Sequence, residues 1–162
     1  MIIIVTGTPG TGKTTVAKKI AKSLNHTYID VNKLLKESGI CEGFDEKDEC
    51  LIVDPKKMAK LLIDRIKKND RLVIDSHLSH HLPKQYVDAC VVCKCELPEL
   101  KRRLKERGYH EQKIRDNLDS EIFDVCLTEA QEEFGHNVII VDTTDGYHID
   151  DIVKRIQNGT KQ

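Results

Sequence analysis

The sequence predicts an α/β protein with a five-stranded parallel sheet in three layers, and three observations carry that prediction. Short β-branched apolar runs alternate with longer segments of helical period along the 162 residues. The first of these runs passes straight into a glycine-rich loop and then a helix. The chemically informative polar residues fall just past the ends of the apolar runs, where open parallel sheets gather ligands. One domain accounts for the whole length.

Ile2-Ile3-Ile4-Val5 is continuous, apolar and β-branched, as suits a strand buried on both faces. Gly7-Thr8-Pro9-Gly10-Thr11-Gly12-Lys13-Thr14 follows as a complete P-loop. From Thr15 to Leu24, Val16, Ala17, Ile20 and Leu24 recur at helical spacing, with Lys18, Lys19 and Lys22 on the outer side. Strand, loop and helix N-terminus together form an anion site, because backbone N–H groups and the helix dipole both favour negative charge. Lys13 can reach the β- and γ-phosphates, and the Thr14 hydroxyl can ligate Mg²⁺. A nucleoside triphosphate is the expected ligand.

Tyr28-Ile29-Asp30-Val31 reads as a second short strand ending at Asp30, followed by a helix through Lys36 that Gly39 closes. Cys41 to Asp54 is acidic and turn-rich, with Glu42, Asp45, Glu46, Asp48 and Glu49 against the single Lys47. Asp54 and Pro55 then open a helix with the apolar stripe Met58, Leu61, Leu62 and Ile66. Arg71 to Asp75 is the third strand, Val87 to Cys95 the fourth and Val138 to Val141 the fifth. Between the last two lie a helix from Leu97 to Arg107 and a long helix from about Glu111 to Phe134. That long helix is expected to turn Ile114, Leu118, Ile122, Val125 and Ala130 inward. Ile149 to Ile156 forms the last helix, and Asn158 to Gln162 reads as frayed.

Composition narrows the function classes. Lys plus Arg total 26 and Asp plus Glu 27, so no basic excess points to nucleic acid, and no direct DNA binding is expected. No apolar run approaches the roughly 20 residues of a membrane span, and a cytoplasmic location is expected, or a nuclear one in a eukaryote. Six cysteines raise the question of a metal. Cys90 and Cys93 sit three apart on a strand and point to opposite faces, so they cannot share an ion there. Cys93 and Cys95 share a face without a second ligand pair, and reduced thiols in the core are the expectation.

Asp75 ends an apolar strand as a Walker B carboxylate does, where it can hold a Mg²⁺-bound water. His77, two residues on, could orient a water or contact a phosphate, or be a hydrogen-bonded loop histidine. His80 and His81 are adjacent and lack a nearby cysteine or carboxylate to complete a set, so no metal is assigned to them. Arg103 and Arg107 are four apart on one helix face, next to Arg102. With Arg115 beyond Gly108-Tyr109-His110 they could form a lid that closes on the triphosphate. A solvated basic face is the alternative.

Taken together, Gly7 to Thr15, Asp75-x-His77, Arg107-Gly108-Tyr109, Asp116-Asn117 and Glu121-Ile122-Phe123 resemble one family. It is that of the small adenylate-kinase-like ATPases related to nuclear adenylate kinase isoenzyme six. The resemblance runs from Ile2 to about Ala130 and includes the acidic stretch Glu42-Gly43-Phe44-Asp45-Glu46. It implies a nucleoside monophosphate kinase-like fold that transfers the γ-phosphoryl of Mg·ATP to AMP, or to water. It also implies a role in small-ribosomal-subunit maturation with a basic platform protein as partner. By the resemblance, Gly10, Thr11, Gly12, Lys13, Thr14 and Thr15 bind ATP phosphates, and Thr14 and Asp75 hold Mg²⁺, partly through water. Lys13, Asp75, His77, Arg103 and Arg107 would be catalytic, with Arg107 also on the nucleotide as part of a lid over about 103–117. Residues 31–54 would bind the monophosphate, with Asp30 and Lys36 as acceptor-site residues. Two departures bear on AMP: Lys36 stands where an arginine is expected, and Pro83-Lys84-Gln85-Tyr86 lacks the arginine expected after its proline. An assembly switch with little AMP kinase activity, or a kinase for a small metabolite such as shikimate, are the competing readings.

Overall fold

The structure is a computed structural model that describes residues 1–45 and 50–159. Residues 46–49, including the expected acidic Glu46, Asp48 and Glu49, lie outside it, as do 160–162. Five strands form one sheet: β1 (Ile2–Thr6), β2 (Thr27–Asp30), β5 (Leu72–Asp75), β6 (Ala89–Lys94) and β7 (Ile139–Asp142). Their order is β2-β5-β1-β6-β7 and every pairing is parallel. Two further strands, β3 (Gly43–Asp45) and β4 (Cys50–Ile52), pair antiparallel as a separate hairpin.

The central strands β1, β5 and β6 owe their continuous apolar patterns to burial on both faces, whereas the edge strand β7 leaves Ile140 exposed. On one face Ile2, Ile4, Leu72, Ile74, Cys90 and Val92 pack with residues of α2 (Val31–Ser38), α3 (Pro55–Ile66) and α6 (Val125–Phe134). On the other, Ile3, Val5, Val73, Val91, Cys93 and Val141 pack with α1 (Lys13–Leu24) and α7 (Ile149–Gly159). Cys90 and Cys93 thus sit on opposite sides, and Cys41, Cys90, Cys93, Cys95 and Cys126 are free thiols. Burial pushes both of these thiols up to about 12, which makes them inert core residues. Among the described residues, no helix is long and apolar enough to cross a membrane.

Two expectations need correction, and one stretch holds structure that was not foreseen. The single long helix is two, α5 (Glu111–Ile122) and α6, broken where Asp124 takes a left-handed φ of 52°. Ile114 stays inward and Ala130 is fully buried, but Ile122 and Val125 turn out to solvent, and Cys126 takes the inward place. The acidic, turn-rich stretch holds the β3–β4 pairing, which no strand pattern in the sequence announced. Finally, α7 runs on through Asn158 to Gly159.

The P-loop enters the core through a glycine with no room for a side chain. Gly7 has φ +142°, and a Cβ there would lie 2.5 Å from the Cys93 carbonyl oxygen. Gly7→Ala is expected to cost about 2–4 kcal/mol in urea unfolding. Gly159→Ala, with nothing within 4 Å, should leave the midpoint unchanged. Equal midpoints for both variants would contradict this account of the turn.

Candidate active site

Sheet order sets the position of the site. β1 is flanked by β5 and β6, so the loop leaving β1 has strand ends on both sides. In register, Val5 pairs with Asp75, and Asp30 pairs with Asp75 from the outer side. The carboxylates of β2 and β5 therefore end level with the start of the P-loop. Gly10 and Gly12 hold positive φ values of 95° and 83°, and Gly12 caps α1, whose first residues are Lys13, Thr14 and Thr15.

Thr14 Oγ1 donates to Asp75 Oδ2 at 2.6 Å, and the Tyr28 phenol donates to the same oxygen at 2.9 Å. Burial, and the negative charge of the carboxylate, raise the phenol pKa. Desolvation lowers the Lys13 pKa, the Asp75 charge opposes that, and the Arg107 charge adds to it. An arriving polyphosphate would supply the counter-charge that this ammonium lacks. His77 is pushed down to about 4, first by burial and then by Lys13, so it faces the site as a neutral imidazole.

These groups open into one cleft of about 590 Å³. Lys13, Thr14 and Asp75 line one part, and Asp30, Lys36, Phe44 and Val53 from β2, α2 and the hairpin region line another. Arg107, at the C-terminus of α4 (Leu97–Glu106), also lines it, as do Tyr109, Asp116 and Asn117. Lys113 sits over the Tyr109 ring at 3.9 Å. The structure separates the two lid arginines. Arg103 Nε donates to Glu99, its Nη1 to Thr143 Oγ1 at 3.0 Å and its Nη2 to the Thr143 carbonyl at 2.7 Å, close to Gly12. It lies off the cleft lining that Arg107 joins. Arg115 is exposed and also off that lining. Asp30 caps α2 by accepting from the Lys33 amide at 3.1 Å, and Lys36 is exposed at the cleft edge.

The family model described as AAA domain matches residues 3–124. The chain is 36% identical over 138 residues to the adenylate kinase isoenzyme 6 homolog of Caenorhabditis elegans, covering 85% of this chain and 76% of that protein. It is 34% identical over 138 residues to the Dictyostelium discoideum homolog of the same name, covering 85% and 78%. The chain belongs to the adenylate-kinase-like family of P-loop kinases. A crystal structure of shikimate kinase from Bacteroides thetaiotaomicron superposes at a TM-score of 0.60 over 100% of this chain and 99% of that one. At 21% identity, that likeness concerns the fold alone.

As a P-loop kinase the chain uses a nucleoside triphosphate, and this family's chemistry calls for Mg²⁺. The donor set fits: the Thr14 hydroxyl and the Asp75 carboxylate are hard oxygens 2.6 Å apart beside the phosphate-binding loop. Two protein oxygens suit an ion that keeps most of its waters and takes the rest of its ligands from phosphate.

Glu121 is the residue whose role sequence reasoning missed. Although charged, it is buried, and its Oε2 accepts from Thr8 Oγ1 at 2.7 Å while Oε1 accepts from the Cys95 amide at 3.1 Å. Lys94 lies 3.8 Å away and also pairs with Asp124. A carboxylate on the inward stripe of α5, three residues after Leu118, was the available signal. On the other flank, Thr143 Oγ1 donates to the Thr11 carbonyl at 2.7 Å. Glu121→Ala leaves the Thr8 hydroxyl and the Cys95 amide without their acceptor. It should cost about 2–4 kcal/mol in urea unfolding and weaken ATP binding. An unchanged midpoint would show that the loop does not depend on this brace.

Proposed function

We propose that this chain is a Mg·ATP-dependent adenylate kinase that converts ATP and AMP into two ADP, and that it hydrolyses ATP when AMP is absent. The observation that supports it best is the single cleft shared by the Lys13–Thr14–Asp75 phosphate site and the Asp30–Lys36–Phe44 wall. Donor and acceptor would meet in it without a covalent protein intermediate. An AMP phosphate oxygen attacks the γ-phosphorus, and the bond to the β–γ bridging oxygen breaks to leave ADP. Lys13 neutralises charge on the transferred group, with Gly10, Thr11, Gly12, Thr14 and Thr15 presenting the loop to the phosphates. Mg²⁺, held by Thr14 and Asp75, would supply Lewis-acid charge. Arg107 enters from the end of α4, and a short movement from Thr143 would bring Arg103 onto the donor nucleotide.

Lys36 is the cation available to the AMP phosphate from α2. An ammonium lacks the planar fork of an arginine, so modest acceptor affinity is expected. In the absence of AMP, neutral His77 can orient the attacking water. A companion role in small-ribosomal-subunit maturation rests on the family resemblance and on the hairpin carboxylates Glu42 and Asp45. Glu42 already pairs with Lys57 at 2.8 Å, and Phe44 of the same hairpin lines the cleft. A basic platform protein docking there would therefore act on the acceptor wall.

A coupled assay of ADP formation from ATP, with and without AMP, tests the proposal. AMP should accelerate turnover at least about tenfold. Lys13→Ala should remove both reactions, a loss on the order of a hundredfold or more. His77→Ala should reduce hydrolysis more than transfer to AMP, because AMP brings its own nucleophile. Turnover indifferent to AMP would favour the assembly-switch reading, or a different small-molecule acceptor.

A further inference from the structure

A second set of ligand-type side chains lies at one edge of the cleft. His80 follows β5 in a short 3₁₀ turn and is 2% exposed. Its Nε2 is 2.7 Å from Glu129 Oε2 on α6, and its Nδ1 is 2.9 Å from Thr6 Oγ1 at the end of β1. The His81 ring lies beside it, with centroids 4.4 Å apart. One donor atom from each of His80, His81 and Glu129 lies within 4.8 Å of the others. Adjacent histidines alone gave no reason for a metal. The carboxylate that completes the set comes from 48 residues beyond His81, on another element.

We propose that His80, His81 and Glu129 bind a divalent transition ion of the Zn²⁺ class, separate from the Mg²⁺ expected at Thr14 and Asp75. Two imidazole nitrogens and one carboxylate oxygen suit such an ion and not Mg²⁺. Ligands of a tetrahedral Zn²⁺ stand roughly 3.3 Å apart, so the set needs adjustments of about 1 Å. The exposed side chains of His81 and Glu129 can make them. His80 would be held from behind, as ligating histidines commonly are. The Thr6 hydroxyl can serve both forms of that ring. Without metal, it donates to Nδ1 while Nε2–H donates to Glu129. With metal, the ring proton resides on Nδ1 and donates to Thr6 Oγ1, which frees the Nε2 lone pair. The Thr6 proton then has the His77 carbonyl oxygen, 3.3 Å away, as its acceptor. An ion bound there ties the turn after β5 to α6 and leaves a fourth position for water.

Metal-free protein titrated with ZnCl₂ by calorimetry, and with Co²⁺ by visible absorption, tests the assignment. One Zn²⁺ per chain should bind with a dissociation constant of about 10 μM or tighter. Co²⁺ should give visible bands of a low-coordinate site without thiolate charge transfer. His81→Ala and Glu129→Ala, whose side chains reach solvent, should each weaken binding at least about tenfold. The rise in melting temperature with Zn²⁺ should disappear in both. Absence of stoichiometric binding, binding unchanged in both variants, or a thiolate band would each overturn the proposal.

Discussion

An anion-binding loop must keep its amides pointed at the ligand, so something else has to hold it still. Here side-chain hydroxyls and carbonyls do so. Thr8 is tied to buried Glu121, Thr11 Oγ1 donates to the Thr8 carbonyl at 2.7 Å, and Thr143 reaches the Thr11 carbonyl from the far side. Gly7 wedges the entry against β6, and Gly10 passes so close to Leu100 and Leu104 that a Cβ would lie 2.8 Å from the first of them. The loop is therefore coupled to α4, to α5 and to the segment after β7. These are the elements that carry Arg103, Arg107 and the cleft wall.

Charge is arranged around the same loop. Lys13 pays a desolvation cost that Asp75 only partly offsets, and Arg107 adds a second positive charge. Lys13 and Arg107 thus both face the part of the cleft where phosphates would arrive, while His77 stays neutral beside them. Asp75 has a double task. Its Oδ2 orients Thr14 and Tyr28 through hydrogen bonds, and its position level with Val5 and Asp30 sets it between the β1 loop and the β2 end.

Much of this was legible in the sequence because it is local. The P-loop, the five apolar strands and Asp75 at a strand end each follow from period and position over fewer than ten residues. What was hidden depended on distant partners or small phase changes. A left-handed Asp124 splits a helix whose apolar pattern looks continuous, leaving Val125 exposed and Cys126 buried just beyond it. The β3–β4 strands are three residues each and exposed at Phe44 and Ile52, so no alternation reveals them. Helical spacing puts Arg103 and Arg107 on one face, but Glu99 and Thr143 engage the first while the second ends the helix in the cleft. Glu129 meets His80 through tertiary packing that spacing cannot express.

The central claim is that donor nucleotide and AMP occupy one cleft together. Calorimetric titration with two adenosines joined by five phosphates tests it most directly, because that ligand spans both positions. The account predicts one molecule per chain, at least about a hundredfold tighter than ATP or AMP alone. Binding should weaken in both Lys13→Ala and Lys36→Ala. Affinity no greater than that of ATP, indifferent to Lys36, would contradict a shared donor–acceptor cleft.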